Sequence, residues 1–436
     1  MESRTTRVAD EAISWQVTPA FLRAAMLAVV LIGAAVGFGR PDLLVLGTPL
    51  LIVTVWTLAT RPGAIPDITG TASTRSPVEG STQAWTVRID GAEEAEQFAL
   101  FVADRRMLTM TPDSGAIAGT LEDGHALRTL RWRPDRWGTR QILGTRVALY
   151  GSWGGFRYGA ARLPGIEMTT LPDTAAFDSR RALPHPQGLI GVNRSNTRAE
   201  GTEFADIRHF QAGDRLRRIH WPVSARTGTL HVRTSFAEQD TEVLVVLDAS
   251  TDYGTGDPED DTASSLDLGV RASAGLATHF LGRGDRVGIE VVGGMHDVRV
   301  PIGMGALHRR RIIDCLGRIE RGAGAGFRAA AVHTRLQPGG VLLLVSPLLS
   351  PMPLTLAAKL AQRGVTVLVV DCFPGDLPMD DPVMALAVRL RLLERAREIH
   401  AIEQHGVPVT PWRGPGSLDP VLERLSARPQ PRMVRR

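Results

Sequence analysis

Apolar and polar positions divide the chain into three regimes. Two long apolar runs come first, then short segments alternating apolar with polar, and last an alternation of apolar strands with amphipathic helices. The runs "FLRAAMLAVVLIGAAVGFG" (Phe21–Gly39) and "LLVLGTPLLIVTVWTLA" (Leu43–Ala59) are apolar apart from Arg23. As helices, each is just long enough to cross a hydrocarbon core. The "RPD" between them (Arg40–Asp42) is a polar turn with a helix-breaking proline. Trp56, near the end of the second run, suits an interfacial anchor. A cleaved signal peptide would not be followed at once by a second span; the competing reading is a helical hairpin buried in a soluble core. Arg4, Arg7 and Arg23 precede the hairpin and Arg61 and Arg75 follow it, against Arg40 alone in the turn. Positive charge on both flanks predicts that both ends face the cytoplasm. Residues 1–20 are then a cytoplasmic N-terminus and 21–60 a two-helix transmembrane hairpin.

From residue 74 to 172 the pattern is "AWTVRID", "FALFVAD", "ALRTLRW", "RVALYG" and "IEMTTL", broken by glycine and proline. Period-2 alternation at this spacing predicts half-buried strands of a small β-sandwich. A polar, proline-containing linker is expected over 173–200. From Glu242 the strands become continuously apolar: "EVLVVLDA", "RVGIEVVG", "GGVLLLVSP" and "VTVLVVDCF", then "VPVTPW". Helical patterns separate them, including a long one over Pro382–Gln404 and a last one from Ser417 ("SLDPVLERLSA"). Continuous apolar strands alternating with helices predict a doubly wound α/β domain over 242–428, its parallel sheet covered on both faces. The fold class is therefore multidomain, and residues 429–436 form a basic tail.

Composition narrows the function. The chain has 436 residues, a formal charge of +4 and 43% hydrophobic residues, so it is long enough for several folded domains. Its basic residues are almost all arginine, and Lys359 is the single lysine. Arginine-rich surfaces are thus a matter of composition, which weakens a general electrostatic case for nucleic acid. Lys359 lies in "LAAKLAQRG", outside any Gly-x-x-x-x-Gly-Lys pattern, which excludes a P-loop ATPase. Cys315 and Cys372 stand far apart in apolar runs, without metal-ligand spacing, and read as reduced, buried thiols.

Ligands of an α/β sheet sit beyond the strand C-terminal ends. There "LDASTD" places Asp248, Ser250 and Asp252 on alternate positions of an extended turn. Two carboxylates and a hydroxyl are hard ligands suited to Mg²⁺. The pattern is similar to the Asp-x-Ser-x-Ser signature of metal-ion-dependent adhesion sites in von Willebrand factor A domains, with Asp252 in place of the last serine. A further strand ends "LLLVSPLLS", giving Ser346 and Pro347 where such a site offers an aspartate. The alternative is a vestigial site in which Asp248 caps the next segment. The acidic run Asp257–Asp261 reads as a solvated loop at a helix start, Arg283–Asp285 as a helix stop, and Gly322–Gly326 as a flexible loop. His-Glu-x-x-His, Gly-x-Ser-x-Gly and Cys-x-x-Cys motifs are absent from the sequence.

One stretch remains, "FQAGDRLRRIHW", in which Asp214 is placed to cap "RLRRIHW". Three readings compete. Arg215, Arg217, Arg218 and His220 can form a basic patch with Trp221 stacking a base. Asp214, Arg218, Ser224 and Arg226 can form an ion-pair cluster tying this segment to the α/β domain. Ser224, His220 and Asp214 are the residue types of a nucleophilic triad, though crowded within eleven residues.

The whole stretch "GTEFADIRHFQAGDRLRRIHWPVSARTGTLHVRTSFAEQDTEVLVVLDAS" (Gly201–Ser250) resembles the signature of domain of unknown function 58 (DUF58). Arg208, Gly213, Asp214, Arg218, Ile219, Trp221, Ser224, Ala225 and Arg226 fit it, and Phe210 stands in for its tyrosine. "RWGTRQILGTRVALYGSWGGF" (Arg136–Phe156) looks like a divergent form of a second family motif. The resemblance makes 201–241 a signature segment and 242–428 a von Willebrand factor A-like domain. Members of the family are commonly found beside MoxR-type AAA+ ATPases, and their A-like domains often lack a full metal site. It therefore implies a non-enzymatic, membrane-anchored adaptor that partners such an ATPase in assembling a protein complex. Arg208, Gly213, Asp214, Arg218, Trp221, Ser224 and Arg226 would be its interaction residues, and no nucleic acid is expected. A membrane protein binding nucleic acid through Arg215–Trp221 is the alternative.

Overall fold

A computed structural model describes residues 4–8, 13–105, 107–174, 198–211, 216, 219–236, 242–254, 263–320, 326–328, 332, 336, 340–375, 382–414 and 416–417. They fall into two compact units, Met1–Pro172 and Asp173–Arg436.

The first unit opens with two short strands, β1 (Arg4–Arg7) and β2 (Trp15–Val17). The helices α1 (Pro19–Phe38) and α2 (Asp42–Ala59) follow. Thr18 caps α1, with proline at its first position, and Gly39 ends it in the left-handed conformation at φ 63° that glycine adopts without strain. Both helices are long and apolar enough to cross a membrane. Most of their apolar side chains, among them Val29, Val36, Phe38 and Val45, face outward, as a hairpin buried in a soluble core would not allow.

Ten strands complete the unit: β3 (Asp67–Ala72), β4 (Gln83–Asp90), β5 (Ala95–Val102), β6 (Leu108–Thr111), β7 (Ala116–Thr120), β8 (Ala126–Pro134), β9 (Gly138–Ile142), β10 (Thr145–Gly151), β11 (Phe156–Leu163) and β12 (Ile166–Thr170). They build two five-stranded antiparallel sheets, β1-β3-β4-β8-β6 and β2-β11-β10-β5-β7, plus the pair β12-β9. Alternation along β8 and β10 sends Leu130, Trp132, Val147 and Leu149 into a shared core with Trp85, Phe98 and Leu100. Trp85 is fully buried, and its Nε1 donates to Thr145 Oγ1 at 3.1 Å. Gly70 lies under its ring, where a Cβ would come within 2.4 Å.

Residues 1–20, read from the sequence as a cytoplasmic tail, thus supply an edge strand to each sheet. Arg4–Arg7 pair with Thr69–Ala72, and Trp15–Val17 with Phe156–Tyr158. The sandwich also starts earlier than 74, at Asp67.

The second unit begins with β13 (Arg198–His209), paired antiparallel with β14 (His231–Phe236); the helix α3 (Trp221–Thr227) lies between them in sequence. Then come β15 (Glu242–Asp248), α4 (Ser265–Gly282), β16 (Arg286–Val292), β17 (Val298–Gly303), α5 (Ala306–Gly317), β18 (Val341–Ser346), α6 (Pro351–Gln362), β19 (Thr366–Asp371), α7 (Pro382–Gln404) and β20 (Val409–Pro411). The six later strands form one sheet in the order β17-β16-β15-β18-β19-β20. Strands β15 and β18 are buried along their whole length. Ser264 and Asp267 form a reciprocal capping box that fixes the start of α4.

The sheet is mixed and not wholly parallel as the sequence predicts: β17 runs antiparallel to β16. Its residues "VRVPIG" face solvent at several positions and include Pro301, which an edge strand tolerates and a buried one does not. The linker expected over 173–200, the run Asp257–Asp261, most of Gly322–Gly326, the helix expected after Ser417 and the tail 429–436 lie wholly or mostly outside the described residues.

Candidate functional site

Strand order in the second sheet reverses between β15 and β18, which are neighbours although β15 leads outward to β16 and β18 to β19. Beyond their C-terminal ends such a sheet opens a crevice. Asp248, Ser250 and Ser346 meet there, all buried. One Asp248 carboxylate oxygen accepts the Ser250 hydroxyl at 2.6 Å and the Ser250 N–H at 3.1 Å. The other accepts the Ser346 hydroxyl at 2.7 Å. Ser346 Oγ in turn accepts the Leu348 N–H at 3.0 Å, where the chain turns at φ 56°. Gly293, at the end of β16, makes room: a Cβ there would stand 2.7 Å from that of Ser250.

Asp252 does not join this group. Its exposed carboxylate accepts the Leu266 N–H at 3.1 Å, in the first turn of α4. The positive helix end outcompetes the crevice for this acid, so the sequence expectation of three oxygens aimed at one point is corrected to Asp248 and Ser250 with Ser346. These residues do not fit a dedicated Mg²⁺ site, which uses near-octahedral oxygen ligation. One carboxylate is present, and both its oxygens are taken up by hydroxyl and amide donors. No group of three or more histidine, cysteine or acidic residues with metal-holding geometry occurs among the described residues.

Burial pushes the Asp248 carboxyl above its ordinary range, against the lowering effect of the Ser250 and Ser346 hydroxyls. Stability from a raised carboxyl is fully present below its unfolded pKa and is lost as pH rises through its folded pKa. Asp248→Asn is therefore expected to flatten the fall in stability from about pH 4 upward, read from urea unfolding across pH. Parallel wild-type and variant curves would refute it.

A second constellation adjoins the first and was not visible from the sequence. Asp371 ends β19 and pairs with Arg395 of α7, both side chains being almost wholly buried. Arg395 also donates to the Pro347 carbonyl at 3.0 Å and lies over the Phe373 ring at 5.0 Å. One turn earlier, Arg391 donates to the Leu349 carbonyl at 3.1 Å and pairs with Glu398 at 3.0 Å. Two arginines four residues apart on one helix thus hold the loop that follows Ser346. The only sequence signal was that spacing, together with an acid closing an apolar strand. Cys372, next to Asp371, is buried; burial first, then the charges of Asp371 and Asp248, pushes its thiol well up and away from reactive thiolate. Cys315 is only partly buried.

The β13–α3–β14 segment carries the signature residues. Ile219 bridges to Val232, and His220 caps α3, its Nδ1 accepting the Val223 N–H at 3.4 Å. Helix α3 starts only at Trp221, so Ile219 and His220 stand before it. Ser224 is buried; it accepts the His231 N–H at 2.8 Å and donates to the His220 carbonyl at 3.0 Å. Its hydroxyl serves the backbone and not the imidazole, which removes the geometry of a nucleophile and base. Arg208 is half-buried and donates to the His209 carbonyl, and Arg226 is exposed. Trp221 is 65% exposed, and Leu216 is exposed as well. His209 and His231 stack across the ladder with centroids 4.4 Å apart, a pairing the sequence did not single out. Gly213, Asp214, Arg215, Arg217 and Arg218 lie outside the described residues.

Residues 206–387 match the family described as "Protein of unknown function DUF58". Uncharacterized proteins of Mycobacterium bovis and of two Mycobacterium tuberculosis strains are each 30% identical to this chain over 195 residues. That match covers 44% of this chain and 54% of each relative, so the chain spans about half the length of the relatives it matches.

Proposed function

We propose that this DUF58-like chain is a two-pass membrane protein whose soluble parts face the cytoplasm, and that it works as an interaction adaptor without chemistry of its own. Its partner is an AAA+ ATPase of MoxR type, engaged during assembly or maturation of a protein complex. The second sheet, with an antiparallel edge strand and a strand-end aspartate beside two serines, supports a von Willebrand factor A-like reading of 242–428. The observation that carries the proposal is Trp221. It belongs to the signature, yet its ring faces solvent while Ile219, Ser224 and Val232 do the packing. An exposed aromatic of that kind is the usual anchor of a protein interface.

The test is a crosslinking pull-down of full-length protein from its native membrane, comparing wild type with Trp221→Ala, with and without EDTA. Capture of an AAA+ ATPase by wild type, reduced at least tenfold in the variant at unchanged thermal stability, is the expected result; tenfold corresponds to about 1.4 kcal/mol at the interface. EDTA should leave capture unchanged. Recovery of nucleic acid instead, with steep salt dependence, would replace the adaptor by the reading based on Arg215, Arg217, Arg218 and Trp221.

A further inference from the structure

No linker separates α1 from the sandwich. Between β2 and α1 stands Thr18 alone. Its N–H donates to the Gly155 carbonyl at 2.9 Å, and its hydroxyl donates to the Gly154 carbonyl at 2.8 Å while accepting the Phe21 N–H at 3.3 Å. On the other side Thr57, buried near the end of α2, presses on Gly155. A Cβ at Gly155 would come within 2.0 Å of Thr57 Cγ2 and 3.1 Å of the Phe21 ring. After α2, the Glu94 carboxylate accepts the Gly63 and Ala64 N–H groups at 3.2 and 3.4 Å, and Trp15 Nε1 donates to the Ala64 carbonyl at 2.8 Å. The turn between β10 and β11 is therefore held at the level where both helices leave the sandwich.

At the tip of that turn is Trp153. It is 72% exposed, and its backbone sits at φ 57°, ψ 19°, the left-handed region that residues other than glycine seldom adopt. Trp85, Trp132 and Trp137 of the same unit are buried. A tryptophan held outward in a disfavoured conformation is not there to pack the core. Two residues on the helices that leave at this level are of the interfacial kind. Arg23, exposed in the first turns of α1, and Trp56, exposed one turn from the end of α2, are the residue types that sit at a bilayer's headgroup level. Ile65, also exposed, follows α2 at the same end.

The geometry points to the Ser152–Gly155 turn as a membrane-contacting loop, in which the Trp153 ring enters the headgroup layer of a phospholipid bilayer and seats the sandwich on its surface. A bilayer crossed by helices tied this closely to the loop is the one surface that must lie beside it. The inference rests on the hairpin spanning the membrane.

Full-length wild type and Trp153→Phe would be reconstituted into phosphatidylcholine vesicles containing lipids brominated either near the headgroup or deep in the acyl chain. Tryptophan fluorescence is then read after flotation. The expected result is stronger quenching of wild type than of Trp153→Phe by the shallow bromines, with equal quenching by the deep ones. Equal shallow quenching of the two proteins, both floating with the vesicles, overturns the inference and leaves the hairpin reading intact. Protein that fails to float, or is quenched at neither depth, overturns the hairpin reading itself.

Discussion

Arg395→Met is expected to cost about 3–5 kcal/mol of unfolding free energy, the range for breaking a buried ion pair by removing one partner. The methionine keeps the apolar stem, so the loss falls on the charge. Asp371 would keep the Phe373 N–H, at 3.0 Å, but lose the buried guanidinium paired with it. The Pro347 carbonyl would lose its donor, and the Phe373 ring the guanidinium above it. Denaturant unfolding reads the effect directly. The double variant Arg395→Met with Asp371→Asn should recover a large part of the loss, because the uncompensated charge is then gone as well. A single variant within about 0.5 kcal/mol of wild type, the ordinary range for surface substitutions, would show that the pair contributes nothing net.

Asp248→Ala is expected to lose about 2–4 kcal/mol, from buried hydroxyl and amide donors each left short of an acceptor. Ser250 and Ser346 both donate to that carboxylate, and all three residues are buried. EDTA should shift neither the wild type nor the variant in thermal unfolding. A wild type that loses stability in EDTA would mean that a cation, and not the two serines, satisfies Asp248. The effect should also couple to that of Arg395, since Ser346 and Pro347 are adjacent and one loop depends on both. Residues sharing a network in this way give non-additive losses.

The features readable from the sequence were those set by local periodicity. Two long apolar runs give α1 and α2, and the helix over Pro382–Gln404 has the expected bounds because its pattern is long. What escaped was decided by partners far along the chain. β1 and β2 are three or four residues each and mostly polar, and they become strands only because β3 and β11 offer open edges. β17 hides behind Pro301 and its exposed side chains. At the site, Asp248 was legible as an acid closing an apolar strand. The placement of Asp252 was not, since capping a helix and ligating a cation call for the same residue at the same spacing. Ser346 looked like a missing ligand in sequence and is in fact the donor that replaces one.

The two N-terminal strands also constrain the order in which the protein can be made. Trp15–Val17 wait for Phe156–Tyr158, and Arg4–Arg7 for Thr69–Ala72, with the entire hairpin emerging in between. The ribosome must therefore deliver both helices and β3 before Arg4–Arg7 can pair, and nearly all of the sandwich before Trp15–Val17 can. Until then those strands carry unpaired backbone, the state in which chains are most open to wrong partners. The hairpin is threaded through the domain's own closure, so the proposed membrane insertion and completion of the sandwich would be steps of a single assembly event.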